Sequence, residues 1–473
     1  MRSQIHLLIV NIWAHCEQFG EAILGDLMEP ERPPVSSPIS RRTALGVLAG
    51  TGVAAALSGC GGSDSRTTLR WWSPQAAPDQ LKSYKARIAA FEAANPTIRV
   101  VFEPTSDEGY PAQFAAAFAA KQLPNIVTHL PSFAAQNYYA EGLLEPVDDV
   151  IKAIGSAQFL DGTNDIYRTA DNQHCALAIG NTAVDMLWYR KDLLQAAGIA
   201  APPKTWDELR RACQAMQKPG LYGAALPYGM NAMTSLIFIG FIHRAGGQIF
   251  TPDLGVAIDS QPTYDALEFY RSMREFCPAG ASNFSWGESL TAFVSGATAT
   301  GIYGGRVLAN VAAQNPAIAD AISCTVYPTM SAAIPAWTFN DFPCLMIPKG
   351  APHLAETKVF AAALYQPEFY IQQLHAAPGH VLPVLKSVPA DPRYQANTLI
   401  ARYPAEIDLM TRTAATGHNL GQETSAHRPN LKANEIIASN AIAELVQRVV
   451  LNNEAPKPAV AATAKRLAEL MRA

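Results

Sequence analysis

Hydrophobic and polar positions along the chain predict strands and helices in alternation. The run Thr67-Thr68-Leu69-Arg70-Trp71-Trp72 is β-prone and is broken by Ser73-Pro74. Apolar residues then recur at the spacing of one helical face, and Asn95-Pro96 ends that predicted helix. Two further strands are predicted around residues 98–102 and 126–128, and two further helices around 114–118 and 133–139. Strands that alternate with helices in this way indicate parallel α/β layers.

Length and composition add that the protein is large enough for two domains. The chain has 473 residues, 49% of them apolar, so the part after residue 60 can bury two ordinary cores. The formal net charge is −4 and the basic residues are dispersed, which gives no indication of a nucleic-acid partner.

A short segment near the start has the features of a bacterial export signal. Ser40-Arg41-Arg42 precedes an uncharged stretch of small and apolar residues that ends in Leu57-Ser58-Gly59-Cys60. The last four residues resemble the lipobox of bacterial lipoproteins, in which the cysteine is acylated and becomes the new N-terminus. We therefore expect lipidation at Cys60, and a protein held by a lipid anchor at the periplasmic or cell-surface face of a membrane.

Alternatives to this interpretation stay open at several points. A membrane anchor or core helix is disfavoured because the apolar stretch is shorter than the roughly 20 residues that a bilayer requires. The paired arginines favour twin-arginine export, although Ala44 stands where a large apolar residue is usual, and general secretory export is the other route. We expect residues 1–39 to be a non-native extension, 40–60 the signal, and the Gly/Ser-rich residues 61–66 a flexible tether.

The cysteines after Cys60 predict neither a zinc site nor a full disulfide framework. They are Cys175, Cys213, Cys277, Cys324 and Cys344, an odd number without C-x-x-C spacing. We expect small buried hydrophobic side chains, with a single disulfide as the alternative. Neither a metal nor another cofactor is predicted.

Five segments of the chain carry a family resemblance. They are Phe91-Glu92-Ala93-Ala94-Asn95-Pro96, Leu123-Pro124-Asn125-Ile126-Val127, Leu187-Trp188-Tyr189-Arg190-Lys191-Asp192-Leu193-Leu194, Pro203-Lys204-Thr205-Trp206-Asp207-Glu208-Leu209 and Pro378-Gly379-His380-Val381-Leu382-Pro383. Through them, and from about Leu69 to Leu470, the chain resembles the extracellular solute-binding proteins of family 1, the sugar-type group that serves ABC importers. Asn125 replaces the usual aspartate of the second segment. Thr205 and Glu208 also have the spacing of a capping box that starts a helix.

The resemblance implies an α/β protein with the two-lobed, type II periplasmic-binding-protein fold, whose discontinuous lobes are joined by a hinge. The expected lobes are 67–183 plus 344–395 and 184–338 plus 396–473, with a hinge crossing at 339–343 and another near 181–185. Such crossings let two lobes close around a ligand. The resemblance further implies a monomer that binds a sugar or oligosaccharide in the interlobe cleft, delivers it to ABC permease transmembrane subunits, and performs no catalysis.

Sugar recognition uses flat aromatic faces and planar polar groups, and the resemblance suggests where the cleft presents them. The candidate ligand-binding residues are Trp72, Ser73, Asp185, Tyr303, Arg306, Trp337, Asn340 and Asp341.

Each candidate has a structural alternative. Trp72 could belong to the core, Asp185 to the hinge or the solvated surface, and Arg306 to the surface. Trp286 and Tyr228 are further aromatic candidates, although single aromatic residues are more often part of a core. Arg306 occupies a glycine turn where many sugar binders have a stacking tryptophan, so it favours an acidic or phosphorylated sugar.

Other functional classes have less support. The chain contains no Gly-x-Ser-x-Gly, His-Glu-x-x-His or Walker-type phosphate loop. Asp107-Glu108 and Asp148-Asp149 could be proposed as glycosidase acids, but adjacency does not supply the carboxylate separation of about 5 to 9.5 Å that such enzymes need. An exported carbohydrate-active enzyme, and a binder of polyamine or metal, are the alternatives.

Overall fold

A computed structural model describes residues 65–472 except 77, 106–109, 131 and 170. The export signal, Cys60 and most of the predicted tether lie outside the described residues. Arg66, at the end of that tether, donates a hydrogen bond of 3.0 Å to Glu92 Oε2. Among the described helices, none combines the length and the apolar character needed to cross a bilayer.

Strands and helices alternate along the described chain. The strands are β1 (Thr67–Ser73), β2 (Ile98–Pro104), β3 (Ile126–Leu130), β4 (Leu177–Ala178), β5 (Thr182–Ala183), β6 (Met186–Arg190), β7 (Tyr222–Ala225), β8 (Thr298–Tyr303), β9 (Ile322–Thr325), β10 (Asn340–Asp341) and β11 (Cys344–Met346). The helices of the first half are α1 (Pro78–Ala94), α2 (Tyr110–Ala120), α3 (Ser132–Ala140), α4 (Asp148–Ile154), α5 (Lys191–Ala196), α6 (Trp206–Met216) and α7 (Ala232–Arg244).

The remaining helices are α8 (Gln261–Ser272), α9 (Trp286–Val294), α10 (Arg306–Gln314), α11 (Leu354–Ala363), α12 (Pro367–His375), α13 (Pro392–Gln395), α14 (Thr398–Arg402), α15 (Pro404–Ala415), α16 (Ala433–Ala438), α17 (Ala441–Val446) and α18 (Pro456–Leu470). Short 3₁₀ turns cover Ser156–Gln158, Asp165–Tyr167, Met273–Phe276, Ala279–Asn283 and Pro316–Ile318, and a π-helical turn covers Gln447–Leu451. The three strands and three helices predicted from the pattern between residues 67 and 139 are confirmed.

The first sheet has the order β2-β1-β3-β11-β4. Strands β1, β2 and β3 are parallel, whereas β11 runs antiparallel to both β3 and β4. Trp71 in β1 is fully buried, donates from Nε1 to Thr128 Oγ1 at 2.9 Å, and contacts the rings of Tyr84 and Phe360. The prediction that Trp71 faces the core is confirmed.

The second sheet has the order β7-β8-β6-β9, with β7 and β8 parallel and β6 antiparallel to both of its neighbours. Thr205 Oγ1 accepts from the backbone N–H of Glu208, whose carboxylate accepts in return from the Thr205 N–H, so the predicted capping box starts α6. The α6 helix buries Leu209, Cys213 and Met216. All five described cysteines are free and buried, so the alternative of one disulfide is wrong.

A two-stranded sheet lies where the chain passes between the two larger sheets. Strand β5 precedes β6 of the second sheet, and β10 precedes β11 of the first sheet. The two short strands pair antiparallel, with Asn340 opposite Ala183 and Asp341 opposite Thr182. Two passages of the backbone between the sheets are therefore held side by side by ladder hydrogen bonds.

Candidate functional site

Loops at the carboxyl ends of the parallel strands converge on this two-stranded sheet. Strand β1 ends at Ser73, β3 at Leu130 and β8 at Tyr303. A Cβ atom placed on Gly304, directly after β8, would lie 3.1 Å from the carbonyl oxygen of Ala183 in β5. Ligands of open α/β sheets bind at the carboxyl ends of strands, so this junction is the candidate site.

Two glycine turns meet in direct backbone contact at the junction. A Cβ on Gly305 would lie 1.7 Å from the Gly379 carbonyl oxygen, a distance that no side chain allows. The φ angle of Gly305 is −68°, which any residue can adopt, so the requirement for glycine is one of space alone. The contact fixes the turn that carries Arg306 against the turn that carries His380.

Arg306 and His380 form the polar part of the site. Arg306 is exposed at the start of α10, and in the described part of the chain its guanidinium has no ion pair or hydrogen bond. His380 is partly buried, and its Nδ1 has no hydrogen-bond partner. Burial, followed by the positive charge of Arg306, lowers the pKa of His380 to about 3.

A chain of hydrogen bonds runs from the buried Arg87 to the carboxyl ends of β1 and β3. Arg87, which is 1% exposed, donates to the side-chain oxygen of Gln373 and to a backbone carbonyl. Gln373 Nε2 lies 2.9 Å from His129 Nε2. His129 Nδ1 lies 3.0 Å from Thr128 Oγ1 and 3.2 Å from Ser73 Oγ. The chain joins the ends of β1 and β3 to helix α12.

The protonation state of His129 follows from this chain. The Gln373 oxygen accepts from Arg87, so its amide nitrogen faces His129 and can only donate. His129 Nε2 is therefore the acceptor and Nδ1 carries the proton, which it donates to a hydroxyl. A second proton, on Nε2, would face the N–H group of the Gln373 amide. Burial, followed by the charge of Arg87, lowers the pKa of His129 to about 3.

Tyr303 and Trp286 form an aromatic corner beside Arg306. Their rings meet edge to face with centroids 5.7 Å apart. Trp286 is partly exposed, whereas Tyr303 is 8% exposed. Burial raises the pKa of Tyr303 and the charge of Arg306 opposes that rise, so the phenol is a neutral donor. An aromatic corner next to a cation suits a ligand with an apolar face and a polar rim.

Asp185 is buried beside the two segments that pass between the sheets. It is fully buried, its Oδ2 accepts from Arg244 Nη2, and its Oδ1 accepts from the Phe339 backbone N–H at 3.0 Å. A Cβ on Gly240 would lie 2.6 Å from the Arg244 guanidinium and 3.1 Å from Asp185 Oδ2. Burial raises the pKa of Asp185, and Arg244 opposes the rise. This geometry favours the hinge-structural alternative for Asp185.

Trp337 and Asn340 also have internal partners. Trp337 is 7% exposed, donates from Nε1 to the Glu423 carbonyl at 3.0 Å, and stacks on His243 with centroids 4.4 Å apart. Asn340 is fully buried, accepts from the Thr182 N–H at 3.3 Å, and donates to a carbonyl of α15. Both residues pack around the second crossing, and the Asp341 side chain lies outside what the structure describes.

The first strand places its two candidate residues differently. Trp72 is 4% exposed and donates from Nε1 to Glu103 Oε2 at 2.6 Å, with Arg70 over its ring at 5.7 Å. Ser73 is fully buried and belongs to the His129 network. Tyr228 is fully buried.

The structure thus brings together Tyr303 and Arg306, with Trp286 beside Tyr303, and engages Trp72, Ser73, Asp185, Trp337 and Asn340 in internal contacts. As ligand contacts, all of the candidates stay predictions. Sequence reasoning missed His129 and His380. His380 stands in the Pro378-Gly379-His380 segment, directly after a glycine, and that position was the available signal. In the described residues no group of three or more His, Cys, Asp or Glu side chains could hold a metal ion.

Comparisons with known proteins agree with the arrangement of strands and helices. The sequence profile of the family described as bacterial extracellular solute-binding protein matches residues 77–370. The Escherichia coli (strain K12) protein YcjN, named as a candidate ABC transporter periplasmic-binding protein, is 28% identical over 225 residues, which are 47% of this chain and 51% of YcjN.

The UgpB protein of Agrobacterium fabrum (strain C58), named as an sn-glycerol-3-phosphate-binding periplasmic protein, is 30% identical over 161 residues, which are 33% of this chain and 36% of UgpB. The chain thus spans about half the length of YcjN and about a third of UgpB in these matches.

Among solved structures, the maltose-bound MalE3 of T. maritima superposes with a TM-score of 0.71 at 18% identity and covers 85% of this chain and 100% of that chain. The likeness confirms the predicted two-lobed α/β fold.

Proposed function

Since the chain belongs to the bacterial extracellular solute-binding protein family, we propose that it is the receptor of an ABC importer and captures a sugar or sugar derivative. The observation that carries the proposal is the aromatic corner of Trp286 and Tyr303 beside Arg306, at the junction of the two lobes. Aromatic faces bind the apolar face of a sugar ring, and neighbouring planar polar groups bind its hydroxyls.

Each lobe supplies a different kind of contact to the proposed ligand. The lobe built on the second sheet offers the aromatic corner and the Arg306 guanidinium. The lobe built on the first sheet offers the neutral imidazole of His380, which can donate to or accept from a ligand. A sugar that bridges the two sets stabilises the closed arrangement, because it loses half of its contacts when the lobes separate.

The proposed mechanism is capture by closure, followed by release to the permease. The crossings paired through β5 and β10 are the segments whose φ and ψ angles change, and the Asp185–Arg244 pair keeps them in register. The division into lobes at 67–183 plus 344–395 and at 184–338 plus 396–473 is part of this proposal. A ligand shifts the equilibrium only by its difference in affinity for the open and closed states.

The proposal also includes export and lipid attachment at Cys60, so that the receptor works next to the permease on the outer side of the membrane. The observation behind it is the lipobox-like Leu57-Ser58-Gly59-Cys60.

A thermal-shift screen of the full chain tests the proposed function. The panel contains maltose, glucose, ribitol, glycerol and sn-glycerol 3-phosphate, with putrescine as a probe for the polyamine alternative. A true ligand at 100 times its dissociation constant stabilises the folded state by roughly 2.7 kcal/mol. We expect a sugar, polyol or derivative to stabilise the protein and to be recovered unchanged. Stabilisation by putrescine alone, or hydrolysis of the bound glycan, would refute the proposal.

A further inference from the structure

We propose that the ligand carries an anionic group, a carboxylate or a phosphate ester, and that this group binds between Arg306 and His380. The inference rests on the proposed function and names the substrate class for that same site. It starts from a cation that the described protein leaves without a counter-ion. Arg306 is exposed at the lobe junction, with no carboxylate or carbonyl bound to its guanidinium in the described residues. A guanidinium binds a planar or tetrahedral anion with two parallel hydrogen bonds.

The position of the cation is fixed by the backbone. The Gly305 turn packs directly on the Gly379 turn, where the hypothetical Cβ contact of 1.7 Å leaves no room for a slip. Arg306 and His380 each follow one of these glycines, so the two side chains leave adjacent points of the contact between the two turns. A pair of groups placed in this way can hold one anion from two sides without reorganising the fold.

His380 can complete the anion site as a neutral donor. Its Nδ1 is buried and has no partner in the described structure, although buried polar atoms are almost always hydrogen-bonded. A ligand oxygen that bridges Arg306 and His380 would satisfy this atom. The missing partner of this atom therefore indicates a polar group that comes from a ligand.

A second cation lies behind the junction. Arg87 is 1% exposed and hydrogen-bonds to neutral groups only, and its Nε has no partner among the described atoms. Its charge acts on His129, and the charge of Arg306 acts on His380. No carboxylate of the described chain perturbs either histidine. The potential at the junction is therefore positive, and it opposes a cationic ligand such as a polyamine.

The ordinary reading of Arg306 as a solvated surface arginine accounts for its exposure but not for its surroundings. It leaves two observations unexplained: the missing hydrogen-bond partner of His380 Nδ1 and the buried charge of Arg87. An anionic ligand accounts for all three observations.

Isothermal titration calorimetry with matched ligand pairs tests the proposal. The pairs are glycerol with sn-glycerol 3-phosphate, and glucose with glucose 6-phosphate and with glucuronate. We expect at least one anionic member to bind at least about tenfold more tightly than its neutral parent, as a charge-assisted contact requires. The phosphate and glucuronate arms separate the two anion chemistries. The proposal would be overturned if each neutral parent bound as tightly as every one of its anionic derivatives.

The Arg306→Gln variant removes the charge and keeps most of the side-chain length. We expect the anionic ligand to bind at least about 30-fold more weakly and the neutral parent to change less than about threefold. Arg306→Lys should restore part of the loss because it returns the charge without the planar fork. Arg211→Gln, at an exposed arginine of α6, is the matched control for net charge and should leave both affinities unchanged.

His380→Asp provides a second test from the opposite turn. The new carboxylate would pair with Arg306 and repel the ligand anion, so anionic binding should disappear while neutral binding persists. Equal losses for neutral and anionic ligands would overturn the assignment. An Arg306→Gln variant that loses stability but keeps the wild-type preference would also overturn it, since an internal carboxylate would then hold the guanidinium. Failure of every sugar and polyol to bind would instead refute the proposed function.

Discussion

The buried pair of Asp185 and Arg244 gives the sharpest test of the hinge. Both side chains have no exposed area, and the carboxylate accepts one hydrogen bond from Arg244 and one, of 3.0 Å, from the Phe339 N–H. Asp185→Asn keeps an oxygen for the backbone N–H but removes the charge that faces Arg244. The Arg244 Nε and Nη1 atoms already lack partners in the described structure, so no other acceptor is at hand.

The expected cost follows from this geometry. Removing one partner of a buried ion pair costs about 3 to 5 kcal/mol, because the remaining charge is uncompensated. The retained hydrogen bond to the backbone is worth about 1 kcal/mol, so we expect a loss of about 3 kcal/mol in the free energy of unfolding. Urea unfolding of wild type and variant, compared at the same pH, measures it.

A surface pair supplies the control for this experiment. Asp149 accepts from Lys358 at 2.6 Å, but its side chain is 58% exposed. Asp149→Asn should therefore cost less than about 1 kcal/mol. The double variant Asp185→Asn with Arg244→Met should be more stable than Asp185→Asn alone, because the orphaned charge is gone. A loss below about 0.5 kcal/mol for Asp185→Asn would show that this pair does not hold the crossings together.

Four further predictions concern other elements. The pKa of His129 is lowered to about 3 in the folded state, so below the ordinary pKa of about 6.5 the unfolded chain binds a proton that the folded chain does not. Between pH 6.5 and 5, His129→Gln should therefore lose about 2 kcal/mol less stability than wild type. Equal slopes of stability against pH would contradict this. Gly305→Ala should cost about 1 to 3 kcal/mol through its clash with the facing carbonyl, whereas Gly287→Ala, with open space around it, should be neutral or stabilising in urea unfolding. Thr205→Ala should cost about 1 kcal/mol by loss of the helix cap, and an unchanged urea midpoint would argue against that role. Cys60→Ala should abolish partitioning into the detergent phase and leave ligand binding intact, so equal partitioning of variant and wild type would refute lipid attachment.

The pattern of the chain is sufficient to predict local structure where one periodicity dominates. Thr67–Trp72 is rich in β-prone residues and forms a strand. Leu81, Tyr84, Ile88 and Phe91 mark one face of α1, because burial on one side of a helix imposes this spacing. Thr205 and Glu208 likewise predict a cap from two residues three positions apart.

Side-chain partners across the hinge are much harder to predict. Asp185 meets Arg244 and the Phe339 N–H only after three distant segments have been folded together, and no local pattern records that meeting. The roles of His129 and His380 likewise depend on the glycine turns and buried cations near them, and no local pattern records these neighbours. Arg306 was identifiable from the sequence because the resemblance places it at a known glycine turn, but its lack of a partner is a property of the fold.

Small-angle X-ray scattering of the full chain tests the central claim most directly. The claim is that two lobes close over a solute without converting it. With the ligand from the thermal-shift screen at saturation, we expect the radius of gyration to fall, to return after dialysis, and the ligand to be recovered chemically unchanged. An unchanged radius at saturation, or a ligand recovered as a product, would contradict the account of this protein as a receptor that captures by closure.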